Sequence, residues 1–251
     1  MPTESGAIER ARSAIGENQV WYHTIEIAPG VVTPGKVDLR TIANRVLPDD
    51  LSGKRVLDVG TFDGFWAFEM ERRGAEVVAI DVDVLESAEW PPLSRAHLER
   101  EARDLDVELG RGFRLAAAAL DSSVERIICP VYELDQDRIG GQVDFAFSGA
   151  ILLHLRDPVR ALERIHGVLS REGELRCMEP ISLRLLLRSP RRPAASFQAA
   201  SSDFNWWVPN TAALAAWMRA AGFRTIRRHR FMRPPSERRM RQPYAVFSAR
   251  A

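Results

Sequence analysis

The run RVLDVGTFDGFWAFEMERRGAEVVAIDVD, residues 55–83, constrains the chain more than any other stretch. A short β-branched segment, KRVLDVG, stops on a glycine; DGFWAFEMERRGA has helical composition and closes at Gly74; EVVAIDVD is a second apolar run. Two strands joined by a crossover of about a dozen residues or more lie parallel, with the helix packed on one face. Continuous apolar strands, as opposed to alternating ones, imply a sheet covered on both faces. The unit therefore predicts strand, glycine turn, helix and strand of an α/β protein.

The alternation continues through a helix in GRGFRLAAAALDSS, strands in VERIICPVYEL and QVDFAFSGAIL, a helix in PVRALERIHGVLS and a strand in ELRCMEP. A last helix in TAALAAWMRAAGF ends at Gly222, and FRTIRRHRFM and QPYAVFSARA read as two strands of a hairpin at the sheet edge. Before the core, residues 6–19 carry weak helical patterning, and the WYHTIEIAPGVVTPGKVDLR segment reads as a strand or lid. From Asp38, Leu39, Ile42, Ala43 and Val46 fall on one face of an expected amphipathic helix. After Pro180 the rhythm breaks, and residues 181–210 read as an insertion over the active face.

The expectation is a single domain over residues 1–251: a doubly wound, mostly parallel sheet with an antiparallel C-terminal edge hairpin, an N-terminal lid (1–50) and a substrate cap (181–210). With 251 residues, 45% of them hydrophobic, the chain can build one sizeable core. A net charge of +1 gives no general pull toward nucleic acid or membrane. Cys129 and Cys177 lie far apart in apolar runs, which suggests neither a disulfide framework nor a cysteine-rich zinc site and fits a reduced, cytoplasmic setting. No signal peptide or membrane span is expected, and the sequence leaves the oligomeric state open.

A sheet of this kind binds its ligand beyond the carboxyl ends of its strands, beside the first strand–helix turn. Gly60 and Gly64 allow tight backbone there, Thr61 lies in the turn, Asp58 ends the first strand and Asp81 the second. A carboxylate about twenty residues past the first glycine suits a ribose diol. Phe62 stands where a dinucleotide fingerprint needs its second glycine, which argues against NAD, and no triphosphate-binding loop is present. An acid at Asp58 favours a ligand with a cationic portion. The acid, the two-glycine turn and the ribose acid resemble the first two motifs of class I S-adenosylmethionine-dependent methyltransferases, which have a Rossmann-like fold.

The segments DVGTFDGFWAF, VYELDQDRIGGQVDFAFSGAILLHLRDPVRALERI and NWWVPNTAALAAWMRAAGF resemble the family containing the wobble-uridine tRNA methyltransferases and their small-molecule relatives. The resemblance implies S-adenosylmethionine as cofactor, with Val82 beside the adenine, Val131 or Tyr132 on its other side, and Ser148 near the site. Tyrosine precedes the histidine after the fourth strand in relatives that use the carboxylated cofactor; here the chain reads Leu152, Leu153, His154.

Methyl transfer needs an aligned nucleophile and, for a hydroxyl, a base. His154, at the rim after the fourth strand, and His23, in the aromatic lid beside Trp21, are the candidates; a packing role is the alternative for each. Glu179 at the fifth strand's end, Trp206 and Trp207 are candidate acceptor contacts, against strand-end anchoring or core closure. No metal-ligand spacing is present. The expected reaction is transfer to oxygen or nitrogen of a small molecule. The arginines of RTIRRHRFMRPPSERRMR leave a tRNA substrate open, and a non-catalytic cofactor-binding partner is the third reading.

Overall fold

The computed structural model describes residues 4–235 and 242–251. A seven-stranded sheet forms its centre. Its strands are β1 (Arg55–Val59), β2 (Glu76–Asp81), β3 (Glu125–Ile128), β4 (Val143–Gly149), β5 (Leu169–Pro180), β6 (Arg224–Met232) and β7 (Tyr244–Arg250). Their order across the sheet is β6-β7-β5-β4-β1-β2-β3, with β7 antiparallel to both its neighbours and the pairs among β1–β5 parallel. The order reverses between β1 and β4, so a crevice opens at their carboxyl ends.

Besides a single helical turn at Ala43–Val46, the helices are α1 (Glu4–Glu17), α2 (Phe65–Glu71), α3 (Pro92–Asp104), α4 (Arg111–Leu120), α5 (Pro158–Val168), α6 (Leu183–Arg188) and α7 (Thr211–Ala220). Strand side chains alternate between faces, and two cores result. On one face Val56, Phe145 and Phe147 pack with Phe65 and Phe68 of α2, Phe113 of α4, Ala11 of α1 and Trp21, Ile25 and Ile27 of the lid. On the other, Leu57, Val59, Val78, Ile80 and Ala146 pack with Leu162 and Ile165 of α5 and Leu214 of α7. Burying a side chain the size of Phe145 or Leu57 stabilises the fold by roughly 1.5–3 kcal/mol.

The C-terminal hairpin lies at the sheet edge as expected, with β6 outermost and β7 joining it to β5. The physical reason is composition: β7 is apolar on both faces and buried from Tyr244 to Ala249, whereas β6 exposes Arg224, Arg227, Arg228 and Arg230. Charged edge strands resist pairing with other chains. The helix expected from Asp38 shrinks to Ala43–Val46, because Arg40 closes a turn onto Asp38 at 2.7 Å, although Leu39, Ile42, Ala43 and Val46 are all buried as the pattern required. The insertion is ordered: α6 leads to a small hairpin pairing Ala195–Phe197 with Trp207–Pro209.

The lid, residues 18–37, carries a two-stranded hairpin, Glu26–Ala28 with Val31–Val32, and docks on the first core through Trp21 and Ile25. Gly64 starts α2 at φ +91°, where an added Cβ would lie 2.4 Å from the Phe68 ring. Gly64→Ala should therefore destabilise the protein by more than about 1 kcal/mol; urea unfolding with an unchanged midpoint would show that the turn adjusts freely.

Candidate active site

The crevice is built on one turn. Leu57 and Val59 face one core, so Asp58 between them points to the other, and the chain then reverses through Gly60 at φ +73°. The amides of Gly60 and Thr61 both donate to the carbonyl of Ile80, at 2.9 and 3.2 Å, fastening the turn to the end of β2. A Cβ at Gly60 would come within 2.7 Å of Ile151 after β4, so glycine is required for the two strand ends to close together.

Asp81 completes the join. Its Oδ2 accepts the Phe62 amide and its Oδ1 the Val82 amide, each at 2.7 Å. Burial raises its pKa while these amides oppose the rise. Each oxygen keeps a lone pair for a further donor, as a ribose diol requires. Val82 and Asp83 are held from behind by Arg126, whose guanidinium pairs with Asp83 at 2.5 Å.

Asp58 is fully buried and Oδ2 has no hydrogen-bond partner; burial pushes its pKa up to about 7, while the nearby Thr61 hydroxyl, itself without a hydrogen bond, pulls the other way. Asp63, also buried, accepts the amides of Tyr22 at 2.6 Å and His23 at 2.9 Å on Oδ2. Burial lifts its pKa to about 6. The lid thus rests on the turn itself: the Tyr22 and His23 rings meet the Phe62 ring edge-on at 5.6 and 6.5 Å. Phe62 has φ 49°, a left-handed conformation uncommon outside glycine. His23 is 7% exposed, its Nδ1 has no partner, and burial lowers its pKa to about 3, so the ring is neutral.

At the neighbouring strand ends Glu179 accepts the amides of Ile151 and Leu152 on Oε1, both at 3.0 Å, and burial pushes its pKa up to about 8. It is a strand-end anchor in this arrangement. Ser148 pairs in register with Val59 and Cys177, fully buried beneath the crevice.

A second cluster lies toward the cap. Tyr132 donates its hydroxyl to Glu89 at 2.8 Å and accepts the Asp157 amide at 2.9 Å, so its hydroxyl braces two loops. Val131 precedes it in a short 3-10 turn and packs partly buried on the second core. The Trp206 indole donates to the Glu89 carbonyl at 2.5 Å with the Arg156 guanidinium 4.7 Å over its ring, and Trp207 donates to the Arg156 carbonyl at 3.0 Å. His154 Nδ1 lies 2.9 Å from the Phe204 carbonyl. A carbonyl only accepts, which makes Nδ1 the donor and leaves Nε2 as the lone-pair nitrogen of the neutral ring.

The structure therefore brings together Asp58, Gly60, Thr61, Phe62, Gly64, Asp81, Val82 and His23, and separates from them a cap cluster of Tyr132, His154, Trp206 and Trp207. Trp21 is corrected to packing: it is 2% exposed, with its indole directed to the Ile15 carbonyl in the core. Sequence reasoning missed Asp63, Tyr22, Glu89 and Ile151. Only Asp63 left a signal, as an acid placed just before the turn's last glycine. Among the described residues no group of His, Cys, Asp and Glu could hold a metal ion, and no helix is long and apolar enough to cross a membrane. A cavity of about 870 Å³ lined by His166, Arg171, Arg224 and Arg250 lies at the opposite, amino end of the sheet.

A family model described as a methyltransferase domain matches residues 36–228. Two proteins named tRNA U34 carboxymethyltransferase are similar: that of Pseudomonas aeruginosa is 30% identical over 192 residues, 73% of this chain and 49% of that protein. That of Pseudomonas syringae pv. tomato is 28% identical over 193 residues, covering 73% and 50%. The chain spans about half the length of the curated relatives it matches. Among solved structures, Burkholderia thailandensis 1,6-didemethyltoxoflavin-N1-methyltransferase, bound to 1,6-didemethyltoxoflavin and S-adenosylhomocysteine, superposes with TM-score 0.55 at 22% identity, covering 84% of this chain and 77% of that one. The N-terminal domain of EvdMO1, solved with S-adenosylhomocysteine and D-fucose, gives TM-score 0.60 at 18% identity, covering 97% and 96%. These two likenesses establish the fold.

The buried carboxyls make stability depend on pH. Unfolded carboxyls titrate near about 4, so Asp63, Asp58 and Glu179, raised to about 6, 7 and 8, bind protons more tightly when folded. Their contribution is complete below the unfolded value and is lost as pH rises through the folded ones. Glu179→Gln keeps an oxygen for the Ile151 and Leu152 amides but cannot ionise, so the fall in Tm between about pH 5 and pH 8 should become shallower. An identical slope in the variant would contradict the burial argument.

Proposed function

The chain belongs to the methyltransferase-domain family, and from that premise we propose that it transfers the methyl group of S-adenosylmethionine to an oxygen or nitrogen of a small-molecule acceptor. One observation carries the reading: Asp81, at the end of β2, is held by the Phe62 and Val82 amides beside the Gly60–Gly64 turn at the sheet's switch point. Its free lone pairs accept the ribose hydroxyls. Val82, directly after, faces the adenine. Asp58, under the turn, favours the cationic amino-acid end of the donor.

Transfer is an in-line displacement at a carbon that the sulfonium already activates, so the protein's share is alignment and, where needed, proton removal. His23 is the histidine at the turn, touching Phe62 and Phe65. Its Nδ1 is buried and unpartnered, which supports a role as hydrogen-bond acceptor for an acceptor O–H or N–H once the site opens. His154, whose Nδ1 is engaged by the cap, offers Nε2 as the alternative base. The cap with Trp207 and the lid enclose the acceptor between them, and Glu179 fixes the loop that forms its floor.

A second reading, a tRNA acceptor, is favoured by the exposed arginines 224, 227, 228 and 230 of β6 and by the names of the curated relatives. The remainder of that arginine-rich run, residues 236–241, lies outside the described residues. The compact aromatic cap makes the small-molecule reading the stronger.

Calorimetric titration separates these. S-adenosylmethionine and S-adenosylhomocysteine should bind and NAD should not. Asp81→Ala should weaken both roughly 10–100-fold, the cost of losing hydrogen bonds to a charged acceptor. Unchanged affinity in the variant would remove Asp81 from the site; tighter binding of the carboxylated cofactor together with salt-sensitive tRNA binding would promote the second reading.

A further inference from the structure

Asp63 is a buried carboxylate of the crevice whose hydrogen bonds reach the lid. Its Oδ2 receives two successive amides, Tyr22 and His23, from 41 and 40 residues earlier in the chain. Neither amide has a full strand partner: at this point the lid makes only an isolated bridge between His23 and Val37. The segment is anchored on both sides, by Trp21 and Ile25 in the core. Between those anchors the Tyr22 carbonyl accepts the Val37 amide at 2.9 Å and the His23 carbonyl the Thr33 hydroxyl at 2.7 Å, while the carboxylate takes both amides and ties the segment to the glycine turn.

The opposite side of the carboxylate is closed as tightly. A Cβ on Gly112, in the first turn of α4, would come within 2.6 Å of Asp63 Oδ1 and 3.0 Å of the Asn18 amide nitrogen. Asn18 in turn donates to the Val20 carbonyl at 3.0 Å, just before the lid. The neighbouring residue of the turn, Phe62, gives its amide to Asp81 and its ring to Tyr22 and His23. Consecutive residues of one turn thus serve the ribose acid and the lid.

We propose that Asp63 is a positioning residue for methyl transfer: its carboxylate holds the Tyr22–His23 backbone so that these two side chains close over the cofactor side of the glycine turn. This rests on the methyl-transfer reading of the same site. Asp63 touches neither donor nor acceptor; it acts through the lid. Tyr22 extends the covered surface toward Tyr244, whose pKa burial raises first and Tyr22 and Glu179 raise further through space, so a displaced lid disturbs the acceptor side as well as the cofactor side.

The test compares Asp63→Ala, Asp63→Asn and Gly112→Ala in the full chain by three readouts. Hydrogen exchange reports the Tyr22 and His23 amides, NMR titration follows the His23 ring, and calorimetry measures S-adenosylhomocysteine affinity. Asparagine keeps an oxygen that can accept both amides and should behave as the parent. Alanine should lose protection at those two amides and let His23 titrate near an ordinary imidazole value. It should also weaken S-adenosylhomocysteine at least about tenfold while the β1, β2 and β4 amides stay protected. Gly112→Ala, which crowds the carboxylate without removing it, should shift the same three readouts in the same direction. Unchanged lid exchange and His23 titration in folded Asp63→Ala would overturn the proposal, as would an asparagine variant as impaired as alanine. A perturbed lid with unchanged ligand affinity would do so too. If the parent binds neither S-adenosylmethionine nor S-adenosylhomocysteine, the methyl-transfer reading fails, while the exchange and titration results still decide whether Asp63 sets the lid.

Discussion

Two backbone amides on one carboxylate organise this molecule's functional end. Asp81 takes Phe62 on one oxygen and Val82 on the other, so the turn after β1 and the end of β2 become a single rigid surface. Each bond is charge-assisted and partly buried, which makes it worth more than an ordinary neutral pair. Around it the other parts find their places. Gly60 brings Ile151 into contact from β4, Asp63 brings in the lid, and Arg126 supports Val82 and Asp83 from β3. A loss at Asp81 would therefore loosen the junction of three strand ends, not one contact.

The rim is unusual in how its charge is managed. Asp63, Asp81 and Glu179 accept backbone amides, while one oxygen of Asp58 has no partner. Burial without full compensation raises each pKa, and the raised values concentrate where a ligand would lie. For a donor carrying a sulfonium and an ammonium the arrangement is favourable: a cation entering a low-dielectric rim of carboxylates is stabilised far more than it would be in water. The same groups would repel a phosphate, in keeping with the bulky Phe62 where a dinucleotide site needs glycine.

Much of this was legible in the sequence because it depended on local order. The strand–turn–helix–strand run carried its own punctuation, and Asp58, Gly60, Gly64 and Asp81 were separated by distances that a βα unit converts directly into positions. The interior place of β7 was hidden because a hairpin pattern fixes which strands pair, not which of the two faces the rest of the sheet; only the contrast between YAVFSA and the arginines of β6 spoke to that. Trp21 read as a lid aromatic, yet a residue's side of a lid is settled by packing, and its ring went inward. Glu89 was invisible for a similar reason, and Asp63 showed only its place before the turn's last glycine. An aspartate in a turn has an obvious local use, and nothing near it in sequence announces partners 40 residues away.

The two covers of the crevice are built differently, and the difference assigns them different roles. The lid is fastened by the charge-assisted bonds of Asp63 and by Trp21 and Ile25, which are almost wholly buried. The cap is fastened by neutral bonds from Trp206, Trp207 and His154 to carbonyls, each worth about 1 kcal/mol net. It buries Ile181, Trp206 and Val208 but leaves Leu183, Leu187, Phe197 and Phe204 between 44% and 75% exposed, so its apolar burial is less complete than the lid's. Local opening follows the weakest packing. The cap should therefore open at lower free energy than the lid and serve as the acceptor's way in. Native-state hydrogen exchange would show this as faster exchange of the Gln198 and Trp206 amides, which close the small cap hairpin and dock it on Leu153, than of the Tyr22 and His23 amides. The opposite order would make the lid the moving part and the cap the fixed wall.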